Sequence, residues 1–118
     1  MDHNLQTLTE RLVAFRDARD WKQFHSLKNL LLSVSIEAAE LLELTQWKDE
    51  KETEARIDDP DFRTALAQEC ADVLIYLLLI SERSGFDLVE AASEKIEVNA
   101  VKYPVDKARG NARKYSDL

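Results

Sequence analysis

A chain of 118 residues, 45% hydrophobic and 33% charged, is long enough for one modest core and too apolar to stay disordered. Its formal charge of −7 argues against a general nucleic-acid binder, because gripping a phosphate backbone requires a basic face. The longest charge-free apolar run, Val73 to Ile80, has eight residues, well short of the roughly 20 of a membrane span. Met1-Asp2-His3-Asn4 has neither the basic nor the apolar region of a signal peptide, so a cytoplasmic location is the expectation. The single cysteine, Cys70, permits no internal disulfide and no cysteine-based metal set. At a helix position it serves as a small hydrophobe.

In chain order, a first helix is predicted from about Asn4 to Arg19, with Leu5, Leu8, Leu12 and Phe15 along one side. Asp20 to His25 reads as a connector, and Ser26 can cap a second helix running to about Trp47 or Lys48. Asp49 to Asp59 is strongly charged and reads as an exposed loop or a frayed helix. Asp59-Pro60 then supplies a capping residue followed by proline in the first turn. The third helix should reach Ser84 and stop at Gly85. Asp87 with Glu90 resembles a capping box for a fourth helix ending near Tyr103-Pro104. The tail from about residue 103 has no clear period.

Only two glycines and two prolines occur, all where helices could begin or end, which argues against a turn-rich β fold. The expectation is an all-α chain, a single domain over residues 1–118. Its four helices form a bundle, with the second and third antiparallel. Charge is uneven. Lys102 to Leu118 holds five basic residues against two acidic ones, leaving about −10 on the rest. Such a tail suits contacts to an anionic ligand or an acidic partner subunit; the alternative is a solvated charged tail.

Two pairs of acids break the apolar stripes. Leu30, Val34, Leu41 and Leu44 recur on one face of the second helix, and Glu37 and Glu40 fall within it. Phe62, Leu66, Val73, Tyr76 and Ile80 stripe the third helix, interrupted by Glu69 and Asp72. Residues three apart share a helix face, so each pair aims two carboxylates at one small volume. Carboxylates withdrawn from water are costly unless paired or bound to metal. Four on facing antiparallel helices therefore predict a cation site, and hard oxygen donors suit Mg²⁺ or Mn²⁺ better than zinc. A ferritin-like di-iron centre would need Glu-x-x-His pairs, and neither His3 nor His25 follows a glutamate by three. A single acid at a stripe edge is usually a solvated side chain; paired spacing on two helices is what separates this case from that one.

The Glu37-x-x-Glu40 pair, a gap of 28 residues and then Glu69-x-x-Asp72 resemble the all-α nucleoside triphosphate pyrophosphohydrolases, the MazG-like superfamily. Arg19-Asp20-Trp21-x-x-Phe24-His25, Asn29-Leu30-Leu31-Leu32, Gln46-Trp47-Lys48, Asp72-Val73-Leu74-Ile75-Tyr76-Leu77, Lys95-x-x-x-Asn99-x-x-x-Tyr103-Pro104 and Lys114-Tyr115 resemble its dCTP pyrophosphatase branch. The likeness runs from about Phe15 to Leu118. It implies that Glu37, Glu40, Glu69 and Asp72 hold Mg²⁺ on a triphosphate, which is cleaved between its α- and β-phosphates into a nucleoside monophosphate and pyrophosphate.

The same resemblance implies substrate contacts at Trp21, His25, Trp47, Tyr76, Lys95, Asn99 and Tyr103. Taken as isolated residues, the tryptophans read as core packing with a satisfied N–H, and base stacking is the other use of their faces. Tyr76, one turn beyond Asp72, can wall a pocket beside the metal, or sit in the core with its hydroxyl bonded. Lys95 and Asn99, four apart, can meet phosphate and a base edge, or form a solvated face. His25 reads equally as a loop histidine with a local hydrogen bond. Arg109, Arg113 and Lys114 could reach triphosphate, in this chain or a neighbouring subunit. The resemblance further implies a homotetramer, a dimer of dimers with shared sites, acting on nucleoside triphosphates rather than nucleic-acid polymers or membranes. Two other readings remain open: a phosphoribosyl-ATP pyrophosphohydrolase, and a non-catalytic helical oligomerisation module that binds a structural cation.

Overall fold

The structure, a computed structural model, describes residues 4–118; His3, set aside above as a metal ligand, lies outside them. Each long helix begins where the sequence supplies a side-chain acceptor for an unpaired N–H. In α1 (Leu5–Ala18), Asn4 Oδ1 accepts from Thr7 N–H at 2.8 Å. In α2 (Leu27–Glu43), Ser26 Oγ accepts from Asn29 N–H at 3.1 Å. Asp59 caps α4 (Pro60–Ser84), with Pro60 in its first turn, and Asp87 Oδ1 accepts from Glu90 N–H at 2.9 Å to open α5 (Leu88–Lys102). Gly85 ends α4 at φ 76°, a left-handed stop that a residue without Cβ adopts freely.

Three local expectations are revised. The second helix stops at Glu43, not at Trp47 or Lys48. The N–H groups of Leu44, Thr45 and Gln46 turn to carbonyls three residues back, and the chain passes into the left-handed region at Trp47, φ 69°. The charged stretch is ordered: Asp49 Oδ1 accepts from Glu52 N–H at 2.8 Å, opening α3 (Glu50–Ala55). Glu50 and Glu52 lie at its N-terminus, where negative charge is favourable. A 3₁₀ turn over Arg56–Asp58 joins it to α4. The tail likewise forms α6 (Val105–Ala108) and a 3₁₀ turn over Tyr115–Asp117. The described residues are helical with no strand, as expected of an all-α chain.

The chain divides into two compact units, residues 1–85 and 86–118. In the first, α2 and α4 make the principal packing contact, with α1 also against α4. Leu30 near the start of α2 and Leu79 late in α4 line one cavity, while Glu37 further along α2 approaches Glu69 earlier in α4. Advancing along one helix retreats along the other, so the pair is antiparallel, as predicted. Among the described residues, the buried apolar ones are Leu30, Leu78 and Leu79. The predicted stripe residues Val34, Leu41, Leu44, Phe62, Leu66, Val73, Tyr76 and Ile80 are half-buried. Leu27, Leu31, Leu32, Ile36 and Leu42 of α2 are 43–74% exposed, an apolar face without cover in one chain.

By length and composition α4 is apolar enough to cross a membrane, with mean hydropathy 1.5 over its best window, although its charge-free run is short. Ionisable residues in a membrane-spanning segment are rare and face other helices. Here Glu69 of α4 meets the acids of α2, an arrangement that packing between helices explains without lipid. In the second unit, Tyr103 and Tyr115 meet edge to face at 6.0 Å, and Lys102 Nζ sits 4.9 Å from the Tyr115 ring centre.

Candidate functional site

Helical spacing places Glu37 and Glu40 one turn apart on α2, and antiparallel packing brings Glu69 of α4 to meet them. One carboxylate oxygen from each lies within 4.8 Å of the others, and all three residues are half-buried. Glu37 Oε2 and Glu69 Oε2 are sealed from solvent without a hydrogen-bond partner, which is costly for a carboxylate. Burial, followed by the nearby Glu40 carboxyl and the charges of Asp72 and Glu69, raises the proton affinity of Glu37 above the usual glutamate range. An all-acid cluster with unpartnered oxygens fits a divalent cation. Oxygens on opposite sides of one Mg²⁺ or Ca²⁺ stand about 4–5 Å apart, the scale of this cluster. Asp72, the fourth predicted ligand, is exposed and stands outside the three-oxygen group, yet it acts on Glu37 through its charge.

Tyr76 follows Asp72 by one turn and is half-buried. Trp21 packs edge-on against Phe15, with ring centres 5.7 Å apart, and is 43% exposed. Trp47 is 92% exposed at its left-handed backbone position, an uncommon conformation for a bulky residue. Lys95 and Asn99 lie on exposed positions of α5 in the second unit, and Tyr103 caps that helix, its N–H donating to Asn99 O at 2.8 Å.

His25 sits at the opposite end of the helix pair from the carboxylates. It lines a cavity of about 130 Å³ with Arg16, Lys22, Leu30, Leu79, Glu82 and Arg83. At the 1.5 Å rise of a helix, Leu30 and Leu79 stand roughly 10–15 Å along the pair from Glu37 and Glu69. His25 Nδ1 is buried without a hydrogen-bond partner. Burial, reinforced by the Arg16 charge, lowers its pKa from 6.5.

The sequence reading passed over Arg16 and Glu82. Arg16 is 4% exposed, and its guanidinium bonds Asp17 at 2.9 Å and Glu82 at 3.0 Å. The bond to Asp17, ahead of that to Glu82, outweighs burial and raises the arginine's pKa further. Its signal was present: Arg16 follows Leu12 by four and continues the inner face of α1, where Phe15, assigned to that face, proves 47% exposed.

The MazG-like family profile matches residues 32–118. The mouse protein dCTP pyrophosphatase 1 is 45% identical over 114 residues, covering 97% of this chain and 67% of its own length. The human protein of that name is 43% identical over the same shares. The crystal structure of a pyrophosphatase from Archaeoglobus fulgidus superposes with a TM-score of 0.77 at 40% identity, over 88% of this chain and 95% of that one. The helical architecture, the acidic α2–α4 pair and these likenesses agree: the chain belongs to the MazG-like family.

Proposed function

We propose that this protein hydrolyses dCTP to dCMP and pyrophosphate, with Mg²⁺ held by Glu37, Glu40, Glu69 and Asp72. The observation that carries the reading is the clustering of three half-buried carboxylates from two helices, two of them with sealed, unpartnered oxygens, in a chain 45% identical to a dCTP pyrophosphatase. A bound divalent cation supplies neutralisation of the triphosphate oxygens and of the departing pyrophosphate. The protein's own residues do the rest. The α2 and α4 backbones bring Glu37, Glu40 and Glu69 together before substrate arrives, which limits the reorganisation that the reaction requires. A carboxylate of the set accepts the proton of the attacking water.

Trp21 and Trp47 each present an aromatic face for base stacking; α2 (Leu27–Glu43) stands between them, about 25 Å long, so one base meets both only in a site shared between chains. Trp47 supports this role twice over: it is 92% exposed, and its left-handed backbone is strain of the kind that gathers at ligand sites. Tyr76 walls the pocket beside Asp72. His25, Lys95, Asn99 and Tyr103 are the further proposed substrate contacts, lysine for phosphate and the asparagine amide for a base edge. The role in the cell is control of the deoxynucleotide pool in the cytoplasm. The uncovered apolar face of α2 supports assembly into a homotetramer, so light scattering should give a mass well above the 13.6 kDa of one chain.

The deciding experiment incubates the protein with each deoxynucleoside triphosphate and Mg²⁺ and measures pyrophosphate and orthophosphate separately. Equal dCMP and pyrophosphate from dCTP, ahead of the other bases, is the expected result. Orthophosphate without pyrophosphate overturns the chemistry, and a stronger turnover of another nucleotide overturns the base assignment.

A further inference from the structure

Arg16 joins two parts of the first unit. Its carbonyl oxygen accepts the Trp21 N–H at 3.1 Å, while Nη1 of its guanidinium reaches Glu82 on α4 at 3.0 Å. Asp17, its other partner, is the next residue in α1; its carbonyl oxygen accepts the Asp20 N–H at 3.1 Å, but its side chain does not reach α4 as Arg16 does. The connector beyond it is held closely. Asp20 makes a left-handed turn at φ 54°, Gln23 Nε2 donates to Asp20 O and Oδ2 at 3.0 Å, and Asn29 Nδ2 donates to Phe24 O at 3.1 Å. A shift of Arg16 relative to α4 is therefore passed to the Trp21–His25 segment rather than absorbed by slack.

We infer that Arg16, acting through Glu82, is a positioning residue that sets the Trp21–His25 segment against α4, the helix carrying Glu69 and Asp72, and so governs nucleotide binding more than the rate of hydrolysis. The inference rests on the proposed reading of Trp21 and His25 as nucleotide contacts. Stability alone does not explain such a pair. Arg16 is buried while the Glu82 side chain is 32% accessible; replacing a buried charge and its partner by apolar groups is often near neutral, because desolvating the buried charge offsets much of the attraction. What an apolar replacement lacks is direction: the Nη1–H bond to a Glu82 carboxylate oxygen favours a narrow range of angles, and a methyl against a methyl admits many.

The test is the double variant Arg16→Met/Glu82→Leu in the full chain. It should melt at or above the wild-type temperature, raise KM for dCTP about tenfold and leave kcat within about twofold, the pattern of a lost binding geometry. Arg16→Lys, which keeps a charge without the planar fork, should raise KM by about threefold. In a Trp47→Phe background Trp21 is the sole tryptophan, and the double variant should increase its quenching by acrylamide. Unchanged KM, unchanged quenching, or a fall in kcat at constant KM each overturns the inference. Failure of the wild type to hydrolyse dCTP would sink the proposed function instead, leaving the quenching measurement to decide the role of Arg16 by itself.

Discussion

The two ends of the α2–α4 pair treat buried charge in opposite ways. At one end the Arg16 guanidinium is nearly sealed, and its charge is answered by Asp17 and Glu82. At the other, Glu37, Glu40 and Glu69 converge with no cation among the described side chains bonded to them, and two oxygens are left unpartnered. At the first end the buried charge is answered within the fold, although the neutral His25 beside it leaves Nδ1 unpartnered. The second is an electrostatic debt, and physics allows it to be discharged by protons or by a metal ion. Unanswered charge, rather than buried charge as such, is what marks the chemistry.

The contrast can be broken most forcefully at the carboxylates. Glu40→Gln, and separately Glu69→Gln, should lower dCTP turnover by about a thousandfold or more, with the circular dichroism of the helices intact; near-wild-type turnover in either would remove that residue from the site. Next in size is the response to metal. Mg²⁺ at a hundred times its dissociation constant should stabilise the wild type by about 2.7 kcal/mol, and a Glu37→Gln/Glu69→Gln variant should show no such gain in thermal melts.

Trp47→Gly sharpens the comparison between strain and function. Removing a bulky residue from a left-handed position should leave stability equal or raised by up to about 1 kcal/mol, while KM for dCTP rises about tenfold from lost stacking. A melt well below wild type would show that Trp47 supports the fold instead.

The pH responses of the two ends should run in opposite directions. Glu37 has its folded pKa raised above 4.5, first by burial and then by its acidic neighbours. Its contribution to stability without metal is therefore fully present below 4.5 and is lost as pH rises through the raised value. Glu37→Gln should accordingly stabilise the metal-free protein at pH 7. His25 has its pKa lowered below 6.5, first by burial and then by Arg16. The stability linked to its neutral form is present above 6.5 and is lost as pH falls through the lowered value. A His25→Asn variant should lose less stability than wild type on acidification, the smallest of these effects.

Much of this arrangement is legible in the sequence. The capping residues Asn4, Ser26, Asp59 and Asp87 stand before apolar periods, and Gly85 follows one, so four helix starts and one stop can be read locally. The antiparallel pairing of α2 with α4 follows from the short connection between them, and the acids interrupting their stripes mark where the carboxylates converge. The premature end of α2 is less legible, because it depends on a turn in which tryptophan adopts a conformation that sequence statistics discourage. The helix at Glu50–Ala55 was hidden by its charge: periodicity is sought in apolar residues, and its support is the Asp49 cap and the favourable placement of its acids.

The residues alone thus determined the all-helical class, the helix pair and the spacing of its acids, because caps, periods and paired spacings are properties of neighbours along the chain. Only tertiary packing decided which of the acids converge, leaving Asp72 exposed while Glu37, Glu40 and Glu69 meet. Packing alone also united Arg16 with Glu82, 66 residues away. A charge at a core-facing position has no meaning until the opposite helix supplies or withholds its partner, and that partner is chosen by the register of two helices, not by either sequence segment alone.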